Sequence, residues 1–365
     1  MRNRAIQVLR TLAVCACLMW CAAAVARDAK VAQAATFDAS PPQEQQQQQE
    51  QSKDKKKENK EKPPTVPEPE LNAAKAIEAA KDIPALLAAA NEFLQKYPKS
   101  PLRPQVAPLV ADRINQIKDP AERIAHGESY LKMLTAPGEA ELVNEQLLHA
   151  YIDANRLDEA FALAPNAVDK ALDPVAALIN LSRAGLGEAQ KKNLKYVAPS
   201  NQMAVKAIAL IESGKKPATV SDAAWNDYKT RWYPQLYQWA AMLSLEAGDR
   251  ADAKAKLASA IKLNAHDPVN YVLLSTMAND EYQRLAQAHR AAAAGAEKDA
   301  LLKQAEAQMD VVIDAYAHAV ALTEGNAQYD TMRVGLKADL ESYYKYRHGN
   351  STDGLQALID KYKKP

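Results

Sequence analysis

Two tyrosines separated by 34 residues, Tyr237 and Tyr271, each begin a similar stretch of sequence. Tyr237 is followed by Ala241, by a Gly248-Asp249 turn, and then by apolar residues at helical spacing, namely Ala253, Leu257 and Ala260. Tyr271 restarts the pattern with Leu274. A period of about 34 residues with small and large apolar residues at fixed offsets is typical of a helix-turn-helix repeat. The interval therefore predicts stacked helix pairs.

The stretch from Tyr237 to Pro268 resembles a tetratricopeptide repeat, whose pattern runs W-x2-L-G-x2-Y, then A-x3-F, then P. Tyr237 stands at the tryptophan position and Ala241 at the glycine position, while Pro268 comes three residues after the position of the closing proline. Weaker units surround Leu147 and Tyr316. The resemblance implies an α-solenoid of antiparallel helix pairs with a concave binding face. It also implies that the following residues pack the repeats: Tyr237, Ala241, Ala253, Leu257, Ala260, Tyr271, Leu274, Leu147, Tyr151 and Ala160.

The composition favours an all-α fold. Glycine accounts for only 11 of 365 residues, against an average usage of about 7%, so the chain is poor in the residue that tight β-turns need. Apolar residues recur at helical spacing from Leu71 onward. We expect helices near 71–82, 84–97, 101–117, 120–134, 139–154, 157–171, 173–184, 199–213, 221–232, 234–247, 250–263, 267–293, 297–323, 327–347 and 352–363. Asp-Pro pairs mark three of the starts, at Asp119, Asp173 and Asp267, because aspartate caps helices and proline suits the first turn.

The first 26 residues have the arrangement of a secretory signal peptide. Arg2 and Arg4 precede an apolar run, and Ala24-Val25-Ala26 supplies a small-x-small cleavage site. An uncleaved anchor is disfavoured because the run is shorter than the roughly 20 residues of a spanning helix. Lipidation at Cys17 or Cys21 is a further disfavoured alternative. We expect an exported protein, periplasmic or extracellular, with no membrane span after cleavage.

Three further regions follow the predicted signal peptide. Residues 27–70 are rich in Gln, Lys and Pro, and a segment with so little apolar surface is expected to be a disordered linker. Residues 71–220 are predicted to be degenerate helical repeats, with an irregular insert near 185–220 where glycine and proline concentrate. Residues 221–365 are predicted to be more regular repeats, with a long helix pair and a C-terminal cap.

An aromatic cluster within 15 residues is the sharpest candidate binding site. Its members are Trp225, Tyr228, Trp232, Tyr233, Tyr237 and Trp239. Tyrosine and tryptophan are enriched at binding hot spots, and flat rings also suit sugar faces. The alternative is that these rings fill the core beside the irregular insert, and Pro234 is expected to turn the chain there. A second cluster, of aromatic and basic residues, lies at 343–348. We interpret it as part of the C-terminal cap, and a partner-binding site is the less favoured alternative.

Candidate chemistry is sparse. The six histidines show no metal-ligand spacing, and no catalytic or phosphate-binding motif occurs. The formal net charge of +1 lacks the basic bias of nucleic-acid binders. We therefore predict no cofactor, no metal and no nucleic acid. The leading hypothesis is a non-enzymatic scaffold that binds a protein or peptide through its concave face. A glycan or cell-wall binding module that uses the 225–239 cluster is the alternative, and an unrecognised enzyme is disfavoured.

Overall fold

The computed structural model describes residues 66–136 and 138–363. The described residues are helical, with turns and bends between the helices and no β-strand among them. The predicted signal peptide, and the predicted linker up to residue 65, lie outside the described residues. The described chain divides into two compact units, residues 66–177 and residues 178–363.

The first unit contains six helices joined by short connections. They are α1 (Glu68–Glu78), α2 (Ile83–Lys96), α3 (Arg103–Asn115), α4 (Pro120–Leu131), α5 (Glu139–Asp153) and α6 (Leu157–Ala167). Helix α1 packs on α2, α4 on α5, and α5 on α6. Helix α1 begins two residues before the predicted end of the linker, because Pro67 and Pro69 suit a helix start and Glu68 and Glu70 favour the positive end of its dipole.

A buried ion pair fastens three segments of the first unit. Arg103, at the start of α3, donates from Nη2 to Oε2 of Glu139 at 2.9 Å. Both side chains are only 8% exposed. The same guanidinium donates to the carbonyl of Leu94 at 3.2 Å and to the hydroxyl of Thr135 at 3.0 Å. Because the pair is buried, removing one partner would leave the other charge uncompensated.

The second unit contains the longest helices described, together with two short ones. They are α7 (Pro174–Gln190, which begins in the first unit), α8 (Val197–Glu212), α9 (Asp222–Asp227), α10 (Tyr233–Glu246), α11 (Arg250–Leu263), α12 (Pro268–Ala291), α13 (Ala296–Thr323), α14 (Asp330–Arg347) and α15 (Leu355–Asp360). Helix α10 packs on α8 and on α11, while α13 packs on α12, α14 and α15. Since the connections within the pairs α10–α11 and α12–α13 are short, these partners are antiparallel neighbours. The long helix pair that the sequence predicts is confirmed as α12 and α13.

The three Asp-Pro starts are confirmed as capped helix ends. Asp119 accepts hydrogen bonds from the backbone amides of Ala121 and Glu122. Asp173 accepts one from Ala176, and Asp267 accepts one from Val269. Each aspartate thus satisfies one or two of the amide groups that the first turn of a helix leaves without an intrahelical partner.

The expected irregular insert is mostly helical in the structure. Helix α7 continues through Gly185 and Gly187 to Gln190, and α8 occupies 197–212. The physical reason is that Gly185 allows a close approach between helices: a Cβ atom built there would lie 1.6 Å from the Oγ of Ser200. Because Gly185 lacks a side chain, it leaves room for α8, and α7 continues through it without interruption.

The expected break between two helices at Pro234 does not occur. Helix α9 passes directly into α10 through a π-helical turn, Tyr228–Trp232, in which the amide of Tyr233 donates to the carbonyl of Tyr228. A proline inside an α-helix lacks a hydrogen-bond donor and clashes with the carbonyl four residues earlier. The wider π turn removes that conflict, so the helical segment runs on through Pro234.

Candidate functional site

Four of the six rings in the predicted aromatic cluster belong to the core. Trp225, Tyr228, Trp232 and Trp239 are between 1% and 9% exposed. Trp232 and Trp239 meet edge to face with their ring centroids 5.9 Å apart, and the indole N–H of Trp232 donates to Asp227 at 2.8 Å. A ring buried in this way has no free face for a sugar, so these four side chains act as packing residues.

The other two members, Tyr233 and Tyr237, are half-buried on α10. Both hydroxyl groups donate to Oε1 of Glu212 on α8, at 2.8 and 2.7 Å. Burial, together with the bond to Glu212, raises the pKa of both phenols. With both hydroxyls engaged, these tyrosines tie α8 to α10.

The residues expected to pack the repeats are mostly buried. In the second unit Ala241, Ala253, Leu257, Ala260 and Tyr271 are buried, whereas Tyr237 and Leu274 are half-buried. Ala241 and Leu257 share one cluster with Leu273, against which Leu274 packs. In the first unit Leu147, Tyr151 and Ala160 are buried. Tyr237 departs from its expected packing position because its hydroxyl reaches the partly exposed Glu212.

A group of tyrosines on three successive helices forms the most open aromatic surface described for the second unit. Tyr282 on α12, Tyr316 on α13, and Tyr343 and Tyr346 on α14 constitute what we call the tyrosine face. The hydroxyls of Tyr282 and Tyr346 are hydrogen-bonded at 3.2 Å, and the rings of Tyr316 and Tyr343 are stacked with their centroids 5.7 Å apart. Tyr346 is 72% exposed, so the face is open to solvent.

The core fixes the position of the tyrosine face from beneath. Tyr282, Tyr316 and Tyr343 pack against a buried cluster that includes Met309, Ile313 and Leu340. Burial and the bond to Tyr346 raise the pKa of Tyr282 to about 12. The phenol of Tyr282 therefore remains neutral at physiological pH. The face presents hydroxyl groups beside apolar ring surface, a combination that suits protein interfaces.

The charged side chains near the tyrosine face differ in whether they have an ion-pair partner. Arg347 is paired with Asp310 on α13, with Nε 2.9 Å from Oδ1. Arg290, in the last turn of α12, is exposed, acts electrostatically on Tyr282, and has no ion-pair partner among the described residues. Asp339, one turn before Tyr343, is half-buried, and burial raises the pKa of its carboxyl. Arg290 is thus the cation at this face that remains available to a partner.

Sequence reasoning placed the C-terminal cluster 343–348 but missed Tyr282 and Tyr316, which complete the face. The spacing of Tyr343 and Tyr346 gave a signal, because residues three apart on a helix lie on the same side. Tyr282 lies 64 residues before Tyr346, and no local pattern connects them. Only the packing of α12, α13 and α14 brings the four rings together.

One polar network groups a serine hydroxyl, a carboxylate and a lysine, as some catalytic sites do. Its serine, however, is not accessible to a substrate. The hydroxyl of Ser244 donates to Oδ2 of Asp252 at 2.5 Å, and Nζ of Lys256 lies 3.1 Å from the same hydroxyl. Asn201 on α8 joins the network through Ser244 at 3.1 Å. Ser244 is 0% exposed, so no substrate reaches its hydroxyl, and the network serves to hold α8, α10 and α11 together.

His318 likewise has a packing role. Its ring is stacked between Tyr271 and Tyr362, with centroid distances of 3.7 and 4.2 Å. Burial lowers the pKa of the imidazole, although nearby Asp314 opposes this effect. Across residues 66–136 and 138–363, no group of three or more His, Cys, Asp or Glu side chains is placed to hold a metal ion.

Comparison with known proteins gives no matching family model and no matching curated protein. Within the described part of the chain, no helix combines the length and the apolar character needed to cross a membrane.

Proposed function

We propose that this protein is a non-enzymatic helical-repeat scaffold that binds a protein or peptide partner through the tyrosine face. The observation that carries the proposal is the meeting of Tyr282 and Tyr346 across two helices, beside the stacked rings of Tyr316 and Tyr343. Tyrosine and arginine are the residues most enriched at interface hot spots, together with tryptophan. Here four tyrosines and the unpaired Arg290 occur on neighbouring helices.

The helices that contribute these side chains support a repeat-type binding surface. Tyr282 comes from α12, the first helix of the packed pair α12–α13, and Tyr346 comes from α14, the next long helix in the chain. In a solenoid the stacked repeats create an extended concave surface, and first helices line it. We propose a tetratricopeptide-like solenoid in which the tyrosine face belongs to that surface.

The side chains of the tyrosine face indicate which kind of peptide it binds. Half-buried tyrosine rings provide apolar contact area that is already held in place by the core, so little side-chain freedom is lost on binding. Arg290 supplies a guanidinium that can pair with a carboxylate in a planar, bidentate manner. The expected partner is therefore a peptide segment that carries an aromatic or aliphatic side chain next to an acidic residue.

Selection from a random peptide library on the immobilised protein tests this proposal. Peptides enriched on the unmodified protein should bind Tyr346→Ala at least about tenfold more weakly, as expected for a hot-spot residue. They should bind Val334→Ala normally, since Val334 is equally exposed at 72% on the same helix. A lack of enrichment, or equal binding to both variants, would overturn the proposal.

We further propose that the scaffold works outside the cytoplasm. The support is the arrangement of Arg2, Arg4, the apolar run and Ala24-Val25-Ala26. N-terminal sequencing of the protein recovered from the cell envelope should begin after Ala26, or after Ala34 at the second small-x-small site. An intact Met1 or an acylated Cys17 would contradict cleavage.

A further inference from the structure

A polar cleft of about 220 Å³ lies on the second unit, apart from the tyrosine face. Its lining comes from two stretches of chain. The π turn and the start of α10 provide Thr230, Arg231, Pro234 and Gln235, while the connection from α11 to α12 provides Asn264, Asp267 and Asn270. The cleft thus lies beside the buried aromatic cluster, and part of its lining comes from residues placed between the aromatic positions in the sequence.

Two groups of opposite charge line this cleft, and they are not paired with each other. The guanidinium of Arg231 lies over the ring of Trp232, with Cζ 4.9 Å from the ring centroid. It makes no ion pair among the described residues. Stacking on an aromatic face leaves the N–H edge of a guanidinium free to bind a carboxylate. Arg231 therefore offers an anion-binding group at the cleft.

Asp267 provides the opposite charge from the cap of α12. Its Oδ1 accepts a hydrogen bond from the amide of Val269 at 2.9 Å, and its Oδ2 accepts one from Nε2 of Gln238 at 3.0 Å. Burial raises the pKa of this carboxyl, against the effect of those two bonds. A half-buried carboxylate with no cation beside it is costly, and a bound ammonium group would offset that cost.

The amide side chains fix the rest of the lining. Gln238 also donates to Oδ1 of Asn270 at 2.9 Å, and Asn270 donates to the carbonyl of Asn264 at 3.1 Å. Asn270 is only 1% exposed. This network holds the carboxylate and the connection that carries it in one position before any ligand arrives, which lowers the entropic cost of binding.

We propose that this cleft binds a free α-amino acid, with the ligand carboxylate on Arg231 and the ligand ammonium group on Asp267. The cleft offers one cation, one anion and a polar surround, which is the complement of a small zwitterion. This inference is independent of the tyrosine face, because none of the residues that line the cleft belongs to that face.

Titration of the full chain with three related small probes tests the proposal, with binding followed by amide chemical shifts in NMR spectra. L-Alanine carries both charges, lactate replaces the ammonium with a hydroxyl, and ethylamine lacks the carboxylate. We expect saturable shifts for α-amino acids, with lactate and ethylamine at least about tenfold weaker, since each loses one charge-assisted contact. Lactate binding as tightly as L-alanine would overturn the zwitterion assignment, as would the absence of saturable shifts with all of the common amino acids.

Two variants locate the site. Arg231→Gln should weaken amino-acid binding at least about tenfold, whereas Lys229→Gln, which removes an equal charge from an exposed position outside the lining, should leave it unchanged. Asp267→Asn keeps a capping side chain and should also weaken binding, whereas Asp249→Asn, at the equivalent cap of α11, should not. If Arg231→Gln and Lys229→Gln bind the ligand equally, the assignment of the site fails.

Discussion

Tyr282 and Tyr346 lie on helices separated by the whole of α13, yet their hydroxyl oxygens are 3.2 Å apart. Helix α13 packs on both α12 and α14, so it brings the two outer helices close enough for these tyrosine side chains to meet. The contact joins α12 to α14 at an exposed surface. It also makes the tyrosine face a property of the packed helices, since no single segment contains it.

Tyr346→Ala should separate binding from stability. Because Tyr346 is 72% exposed, the free energy of unfolding should change by less than about 0.5 kcal/mol. Partner binding should weaken by about 2 kcal/mol, the threshold for a hot spot. Urea unfolding and peptide titration measure the two quantities. A large loss of stability with unchanged binding would show that this residue is structural.

Gly185→Ala should destabilise the second unit. The added Cβ would lie 1.6 Å from Oγ and 2.7 Å from Cβ of Ser200, so α7 and α8 must move apart. Overpacking of this kind costs about 1–3 kcal/mol. The matched control is Gly187→Ala, where nothing lies within 4 Å of the added atom.

The control variant, Gly187→Ala, should change the stability in the opposite direction. Alanine is a better helix former than glycine by roughly 0.5–1 kcal/mol, and Gly187 lies inside α7. The midpoint of urea unfolding should therefore fall for Gly185→Ala and rise for Gly187→Ala, with the slope of the transition unchanged. Equal effects of the two changes would contradict the close approach of α7 and α8.

Glu139→Gln should cost about 3 kcal/mol of stability, because it leaves the buried guanidinium of Arg103 without a counter-charge. The comparison is Glu92→Gln, which breaks an ion pair with Lys96 whose side chains are 72% and 63% exposed. An exposed pair of this kind contributes less than about 1 kcal/mol. Chemical unfolding of the two variants distinguishes them, and similar losses would show that the pair at Arg103 is not buried in solution.

Asp339→Asn should stabilise the protein at neutral pH and not in acid. Burial raises the pKa of Asp339 above its ordinary value of 3.8. Between the ordinary and the raised pKa the folded state binds more protons than the unfolded state, so stability falls as pH rises through that window. Above it, the ionised carboxylate destabilises the fold, and the neutral amide avoids that cost.

Thermal unfolding at pH 7 and at a pH well below 3.8 measures the effect of Asp339→Asn. The gain should be present at pH 7 and vanish in acid, where Asp339 is protonated in both states. Asp353→Asn removes the same charge from an exposed position and should give no such gain. A gain for Asp339→Asn that is equal at both pH values would contradict the prediction.

Most of the helices could be predicted from the sequence. The Asp-Pro starts at Asp119, Asp173 and Asp267 are capped as expected, and α11 has the predicted bounds of Arg250–Leu263. These features depend on residues within one turn of each other. Pro234 was misjudged because its consequence depends on the backbone before it, where a π turn replaces the expected break.

The candidate sites were less predictable. The sequence singles out Trp225 and Trp239 but leaves open whether they are core or surface, and the structure buries both. The polar cleft depends on Arg231 and Asp267, which no motif connects. Arg231 is next to Trp232 of the predicted aromatic cluster, and Asp267 is itself a predicted helix cap.

Local sequence is enough to predict that the described chain is helical, where its helices begin, and which residues have the size to fill the space between them. Those properties follow from spacing along one helix and from hydrogen bonds between near neighbours. Tertiary structure alone decided that Trp239 is buried, that Tyr346 is open, and that Tyr282 lies beside it. The reason is that burial depends on which helix faces cover one another, and those faces come from segments far apart in the chain.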